Sequence, residues 1–82
     1  MEEDINPKIF AFRTPPLLFS VAKEGTLKFD IRKNVGFKLG DWVNYIEWYP
    51  NKVEPTGKSV LRKIDYISHN GVEDGYIAFS FK

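Results

Sequence analysis

Three charged side chains recur at alternate positions along one short segment of the chain: Lys28, Asp30 and Arg32. Alternate residues of a β-strand point to the same face, so these three side chains are predicted to lie together. A guanidinium can bind a phosphate through two hydrogen bonds or stack on a base, and a neighbouring carboxylate can orient it. The segment is therefore a candidate surface for binding phosphates or bases, although a structural ion pair between Arg32 and Asp30 would have the same sequence pattern.

Further cations and one aromatic ring extend this candidate surface. Lys33 and Lys38 flank the loop that follows the segment and could contact a nucleic-acid backbone through charge alone, although solvated loop lysines would look the same. Arg13 lies near the predicted start of a helix and could line the same cleft, and Trp48 could stack on a base. The predicted nucleic-acid-binding residues are Arg13, Lys28, Asp30, Arg32, Lys33, Lys38 and Trp48.

The sequence predicts no catalytic set and no metal site. It has no Cys and a single His, which excludes a disulfide framework, thiolate zinc sites and an imidazole-based metal site. Glu47 is the best general-base candidate, but a surface carboxylate would look the same. We therefore expect no cofactor and a binding protein rather than an enzyme, with catalysis left open.

Length and composition favour one soluble domain. The 82 residues are 43% hydrophobic and 16% aromatic, which is enough large side chains for one core. No apolar run approaches the roughly 20 residues that cross a bilayer, so no membrane association is expected. The absence of Cys favours a reducing cytoplasm. Charge is uneven, with −3 over residues 1–7, +5 over 8–38 and −1 over 39–82, which fits a basic patch facing an acidic partner.

The first elements of the predicted domain are a strand and a helix. Residues 1–8 are predicted to be a flexible acidic N-terminus, and residues 9–82 a single domain that begins with a strand over 9–13. Thr14 could cap a helix over about 15–24, in which proline occupies the first turn and apolar residues recur at three- and four-residue spacing. Gly25 is predicted to end the helix in the left-handed conformation.

Strands are predicted to fill the rest of the chain. The first is half-buried, with Leu27, Phe29 and Ile31 on one face and Lys28, Asp30 and Arg32 on the other. A strand over 42–49 has apolar residues on both faces, which is typical of a small barrel, and Trp42 is predicted to be core. Strands over 59–67 and 76–81 follow. The pattern predicts an α+β fold, a small β-barrel of about five to six strands with one short N-terminal helix.

The order and spacing of several short motifs resemble those of ASCH domains in the PUA-like superfamily. The resemblance is strongest to a small uncharacterised ASCH-related family of bacteria and phages. The matching residues are Phe12-Arg13-Thr14-Pro15-Pro16, Phe19, Gly25, Lys28-Phe29-Asp30-Ile31-Arg32-Lys33-Asn34, Gly40-Asp41, Thr56-Gly57-Lys58, Tyr66-Ile67 and Asp74-Gly75-Tyr76. The resemblance covers about residues 12–82.

The resemblance implies a PUA-like barrel in which a cleft between barrel and helix receives RNA or a modified base. Some ASCH proteins hydrolyse N4-acylated cytidines with a Lys just after the helix-ending Gly, a Thr two positions beyond it, and a distant Glu. In this chain Thr26 occupies the Lys position and Lys28 the Thr position, so the catalytic pattern is not preserved.

Three functional hypotheses follow from the sequence and the resemblance. The leading one is a cytoplasmic, monomeric, non-catalytic module that binds RNA or a modified nucleotide through a basic cleft. The second is a small, phage-encoded interaction or inhibitor domain directed at a host protein. The third is a minimal amidohydrolase acting on N4-acylated cytidine, with Glu47 and Lys28 in reassigned roles.

Overall fold

The computed structural model describes residues 6–81, and within that range the chain forms five strands and one helix. The elements are β1 (Ile9–Thr14), α1 (Pro16–Glu24), β2 (Phe29–Lys33), β3 (Trp42–Glu47), β4 (Ser59–Ser68) and β5 (Tyr76–Phe81). The strands form one curled half-barrel sheet in the order β1-β3-β4-β5-β2. The predicted α+β class is thus confirmed. Of the flexible segment predicted for residues 1–8, residues 1–5 lie outside the described residues.

The two edge strands of the sheet are joined by the helix. β1 pairs in parallel with β3, and the other three pairings are antiparallel. A parallel pair needs a crossover connection, which here contains α1 and β2. The helix packs against β3 and β4, and its Phe19 and Ala22 are buried in the core. None of the elements within residues 6–81 is a helix long and apolar enough to cross a membrane.

The helix begins and ends close to the predicted positions. Pro16 occupies its first position, where the missing N–H of proline leaves no donor unpaired. Gly25 ends it with φ of 83°, in the left-handed region that favours glycine. The prediction that Thr14 caps the helix is wrong, because Pro15 is the N-cap. Thr14 is instead the buried last residue of β1, and its hydroxyl donates to the carbonyl of Phe12 at 2.9 Å.

Aromatic rings fill the concave side of the half-barrel. Phe37, from the loop between β2 and β3, lies with its ring centroid 4.5 Å from that of Phe10 and 4.9 Å from that of Phe79. The ring of Tyr45 stands edge-on to that of Phe81 at 6.0 Å. The buried apolar residues are Phe19, Ala22, Phe37, Val43, Tyr45, Ile64, Ile77 and Phe79. Trp42, predicted as core, is only half-buried on the outer face of β3.

Strand β2 directs its charged residues inward, the reverse of a usual half-buried strand. Phe29 is 58% and Ile31 48% exposed, whereas Asp30 and Arg32 are half-buried on the concave side. Buried charge is costly unless it is paired, and these two side chains lie 3.0 Å apart as an ion pair. The pairing of the charges makes this orientation possible at the edge of the sheet.

A buried carboxylate fastens the start of β1 to the loop before β3. Asp41 is only 5% exposed, and each of its carboxylate oxygens accepts a backbone N–H at 3.0 Å, one from Lys8 and one from Lys38. The carbonyl of Asp41 accepts the N–H of Ile64 at 2.8 Å. The residue therefore holds three segments of the chain together at one end of the sheet.

The inverted orientation of β2 can be tested by truncating an isoleucine on each of two neighbouring strands. Ile77→Ala should lower the free energy of unfolding by about 2–5 kcal/mol, because Ile77 is buried and a cavity remains. Ile31→Ala should cost less than about 1 kcal/mol, because only the strand preference of an exposed residue is lost. Urea denaturation measures both. Equal costs would contradict the orientation.

The role of Asp41 predicts a clear cost for removing one carboxylate oxygen. In Asp41→Asn, one of the two backbone N–H groups faces an amide NH₂ and loses its acceptor. We expect a loss of about 1–3 kcal/mol in the free energy of unfolding. Asp65→Asn, at an exposed position of β4, is the matched control and should change it by less than about 0.5 kcal/mol. A similar small effect at Asp41 would show that its hydrogen bonds are not needed.

Candidate functional site

Asp30 is the centre of a hydrogen-bonded group on the concave wall. Its Oδ2 accepts the hydroxyl of Tyr45 at 2.8 Å and the Nε–H of Arg32 at 3.0 Å. Its Oδ1 accepts the backbone N–H of Ile31 at 2.8 Å. Because β2 and β3 are not neighbours in the sheet, the bond to Tyr45 connects the edge strand to the opposite side of the half-barrel.

Arg32 is held in place on two sides. Its Nε is bound to Asp30, and its Cζ lies 4.0 Å from the ring centroid of Phe12, which is a cation–π geometry. The side chain is 31% exposed, and within residues 6–81 its two terminal nitrogens have no hydrogen-bond partner. A guanidinium fixed through Nε and stacked on a ring keeps its terminal N–H groups in a set direction. It can therefore donate to a phosphate or a base with little loss of side-chain entropy.

Tyr45 acts as a fixed hydrogen-bond donor to Asp30. Burial raises the pKa of the phenol strongly, and the charge of Asp30 and the hydrogen bond to it add to this, while the positive charges of Arg32 and Arg62 oppose it. The hydroxyl is therefore protonated throughout the physiological range and cannot serve as a base. Its contribution is to hold the carboxylate of Asp30 in one orientation.

A second guanidinium lies between the helix and this group. Arg62 is half-buried on the same face of β4 as the core residue Ile64. Its Nη1 donates to the carbonyl of Ala22 at 3.0 Å, and its Cζ lies 5.4 Å from the ring centroid of Phe81. The end of the helix is thereby fastened over the concave side. Tyr45, Arg62 and Phe12 were not among the residues predicted for this site.

Two of the predicted binding residues lie on the other side of the sheet. Arg13 alternates with the inward Phe12 and Thr14, so it points outward. Its Cζ lies 4.0 Å from the ring centroid of Trp48, whose Nε1–H donates to the carbonyl of Lys52 at 2.9 Å. These two residues form a separate stacked pair and do not share a cleft with Asp30 and Arg32.

The three predicted lysines are exposed and are not gathered around Arg32. Lys28 precedes β2, and its carbonyl accepts the N–H of Phe81 at 3.2 Å. Lys33 ends β2 and alternates with Arg32, so it points to the outer face. Lys38 lies in the following loop, where its backbone is bound to Asp41. The concave group therefore contains Asp30 and Arg32 alone among the seven predicted residues.

Glu47, the general-base candidate, is occupied by the loop after β3. Its carboxylate accepts the hydroxyl of Thr56 at 2.8 Å, and its backbone carbonyl accepts the N–H of the same residue at 3.1 Å. The side chain thus fastens the loop. Within residues 6–81, no three His, Cys, Asp or Glu side chains are placed to hold a metal ion.

A cavity of about 530 Å³ opens between the helix and the start of β4. Phe19 and Lys23 line it from the helix, and residues 57–60 line it from the sheet. Lys23 and Lys58 are both exposed at this cavity, which gives it a positive rim. It is separate in sequence from the Asp30 group, but Arg62 contacts Ala22, the residue before Lys23.

The fold and this site define a small α+β half-barrel domain with a preorganised arginine on its concave wall. Residues 9–81 match a family model described as Domain of unknown function (DUF3850), and the chain belongs to that family. No curated protein matches the chain significantly.

The buried Tyr45 predicts a loss of stability at alkaline pH. Above about pH 10 the phenol ionises in the unfolded chain but keeps its proton in the folded one, so unfolding releases a proton and stability falls as pH rises. The wild type should lose up to about 1.4 kcal/mol per pH unit more than Tyr45→Phe in this range. Urea denaturation at several pH values from about 9 to about 11, roughly one unit either side of the ordinary pKa of tyrosine, measures the difference.

The exposed Tyr66 provides the matched control. Tyr66→Phe should follow the wild-type pH dependence, because the side chain of Tyr66 is exposed and its loss of a hydroxyl leaves the hydrogen bond from Tyr45 to Asp30 in place. If the wild type and Tyr45→Phe instead lose stability in parallel, the hydroxyl of Tyr45 is not the protonated donor described above.

Proposed function

We propose that this chain is a non-catalytic, ASCH-like domain that binds RNA or a modified nucleotide on the concave side of its half-barrel. The observation that carries the proposal is the state of Arg32. Its Nε is bound to Asp30 and its face is stacked on Phe12, while its terminal nitrogens have no partner within residues 6–81. With the side chain 31% exposed, those nitrogens are accessible to a ligand while the rest of the guanidinium is held in place.

The chemistry of this arginine suits a phosphate or the acceptor edge of a base. Two terminal N–H groups of a guanidinium bind two oxygens in parallel, which a lysine ammonium cannot do. Asp30, itself held by Tyr45, fixes the direction of the two terminal N–H groups of Arg32, called here the fork, before the ligand binds. Because both are already in place, binding need not order them.

The cavity between α1 and β4 supports the same proposal. The ASCH resemblance implies that the ligand lies between the helix and the barrel, and a cavity with two lysines at its rim occupies that position. Phe19 offers an apolar floor against which a base could rest. We propose that a nucleotide chain extends from this cavity past Arg62 towards Arg32, on a monomeric domain of the cytoplasm.

The test is RNA binding by a pair of variants on one strand. Arg32→Ala should weaken binding of a short single-stranded RNA by at least about tenfold, or about 1.4 kcal/mol, because the preorganised fork is lost. Arg32→Lys should recover only part of the loss, since it restores charge without the fork. Fluorescence anisotropy at about 50 and about 200 mM salt measures both affinity and salt dependence.

Lys33→Ala is the matched control, because it removes one positive charge from the neighbouring position on the outer face. It should weaken binding by less than about threefold through the general loss of charge. Equal effects at Arg32 and Lys33, or affinity that does not change with salt, would contradict a concave site. Urea denaturation of each variant separates a binding defect from loss of the fold.

An interaction domain is the second candidate, and the loop after β3 favours it. Tyr49 and Val53 are exposed there and, with Pro55, line a largely apolar cavity of about 440 Å³. Exposed apolar residues that cluster in one loop are typical of protein contacts. If the tagged protein recovers one host protein and no nucleic acid, and Val53→Ser abolishes that recovery, the second candidate replaces the first. The hydrolase alternative has no comparable support, because Glu47 is bound by Thr56.

A further inference from the structure

Three chain segments, each carrying one lysine, converge on the buried carboxylate of Asp41. The N–H groups of Lys8 and Lys38 donate to its two oxygens, and its carbonyl accepts the N–H of Ile64, the residue after Lys63. Two further backbone bonds fix the same region, from Gly40 N–H to the Ile64 carbonyl at 3.2 Å and from Asp41 N–H to the Lys38 carbonyl at 3.0 Å. The backbones of all three lysines are therefore held in fixed positions around one point.

These three lysines line a single cavity. It has a volume of about 370 Å³ and lies at the end of the sheet where β1 and β3 begin. Asp41 is its only acidic lining residue among those described, and both oxygens of that carboxylate already accept backbone donors. Three ammonium groups and one carboxylate give the cavity a formal charge of +2.

None of the three ammonium groups is neutralised by an acidic side chain in the described part of the chain. The one ion pair there joins Asp30 and Arg32. Lys63 makes a contact of another kind, with its Nζ 5.7 Å from the ring centroid of Trp42. The backbones of three lysines are fixed around one cavity, so their ammonium groups can converge on an anion there, and the anion offsets the repulsion between the like charges.

We propose that this cavity binds a phosphate group. Lysine ammonium groups are compact point charges with three donors each, which suits a dense tetrahedral anion approached from several directions. The rigid backbone around Asp41 supplies the preorganisation, because only the side chains need to be ordered on binding. The site lies apart from Arg32 and does not depend on the proposed RNA function.

The experiment is an NMR titration of the uniformly ¹⁵N-labelled protein with inorganic phosphate at low ionic strength. Saturable shifts should centre on the amides of residues 8, 38–41 and 63, and sodium chloride at equal ionic strength should not reproduce them. Lys38→Gln should weaken phosphate binding by about threefold or more, and the triple substitution of Lys8, Lys38 and Lys63 by Gln by at least about tenfold.

Lys52→Gln is the matched control, since Lys52 is an exposed lysine that does not line this cavity. It should change the phosphate affinity by less than about 1.5-fold. Equal weakening by Lys52→Gln and Lys38→Gln, or identical shifts with chloride, would overturn the site and leave only general charge attraction. All the substituted side chains are exposed, and urea denaturation verifies that each variant is folded.

Two oligonucleotides that differ only in a 5′-phosphate or a 5′-hydroxyl identify the source of the phosphate group. Competition with inorganic phosphate by the 5′-phosphorylated form alone would assign the site to a terminal phosphate. Equal competition by both forms would assign it to the nucleic-acid backbone, and competition by neither to a free phosphate or small ester. Phosphate binding without any binding of RNA or of a nucleotide would refute the proposed function and leave this site standing.

Discussion

The hydrogen bonds accepted by Asp30 are the interaction on which the concave side of this domain depends. The sheet curls without a hydrogen-bonded ladder between its edge strands β1 and β2, so side chains must hold that opening in shape. Asp30 binds Tyr45 of β3, and through Arg32 it is linked to the ring of Phe12 on β1. Hydrogen bonds and an ion pair thus hold the opening between β1 and β2 in shape, as apolar packing does elsewhere in the core.

The burial of this group explains why it is so fully satisfied. Asp30 is only 20% exposed, and an unpaired carboxylate at that depth would cost several kcal/mol. Three donors reach its oxygens, and among them the phenol of Tyr45 is kept protonated by its own burial. The ion pair is partly solvated, so its contribution to the free energy of unfolding is small. Its ordered position, rather than its energy, is what makes the arginine suitable for a ligand.

Local patterns predicted the elements well. The helix expected over about 15–24 spans Pro16–Glu24, and the last strand has the predicted bounds. Gly25 ends the helix as expected, because its conformation is set by neighbouring residues alone. The α+β class followed from a single short helix among strands with a two-residue period.

Tertiary relationships were the part that the sequence could not supply. The alternation in β2 predicted a charged face towards a cleft, but an apolar face is normally the buried one, so the burial of Asp30 and Arg32 and the exposure of Phe29 and Ile31 are apparent only from their partners. The contact between Asp30 and Tyr45 crosses strands that are not neighbours. The one available signal for this contact was the rule that the hydroxyl of a buried tyrosine usually has a hydrogen-bond partner. Arg13 was assigned to the wrong face because its strand register was unknown.

The hydrogen bond that the N–H of Ile31 donates to Asp30 Oδ1 affects the open edge of the sheet, where another copy of the chain could pair. The carbonyl of Lys28 and the N–H of Asn34 both bond to residues at or next to β5, so the backbone groups of even-numbered residues face β5. The N–H of Ile31 is therefore directed away from β5, to the open edge of the sheet. Exposed edge strands with apolar residues such as Phe29 and Ile31 are templates for intermolecular β-pairing. Because the carboxylate of Asp30 accepts the N–H of Ile31, an incoming strand finds the central of the three edge-facing N–H groups of β2 already bound. The residue that orients the arginine therefore also removes one hydrogen-bond donor from the edge at which another strand could pair.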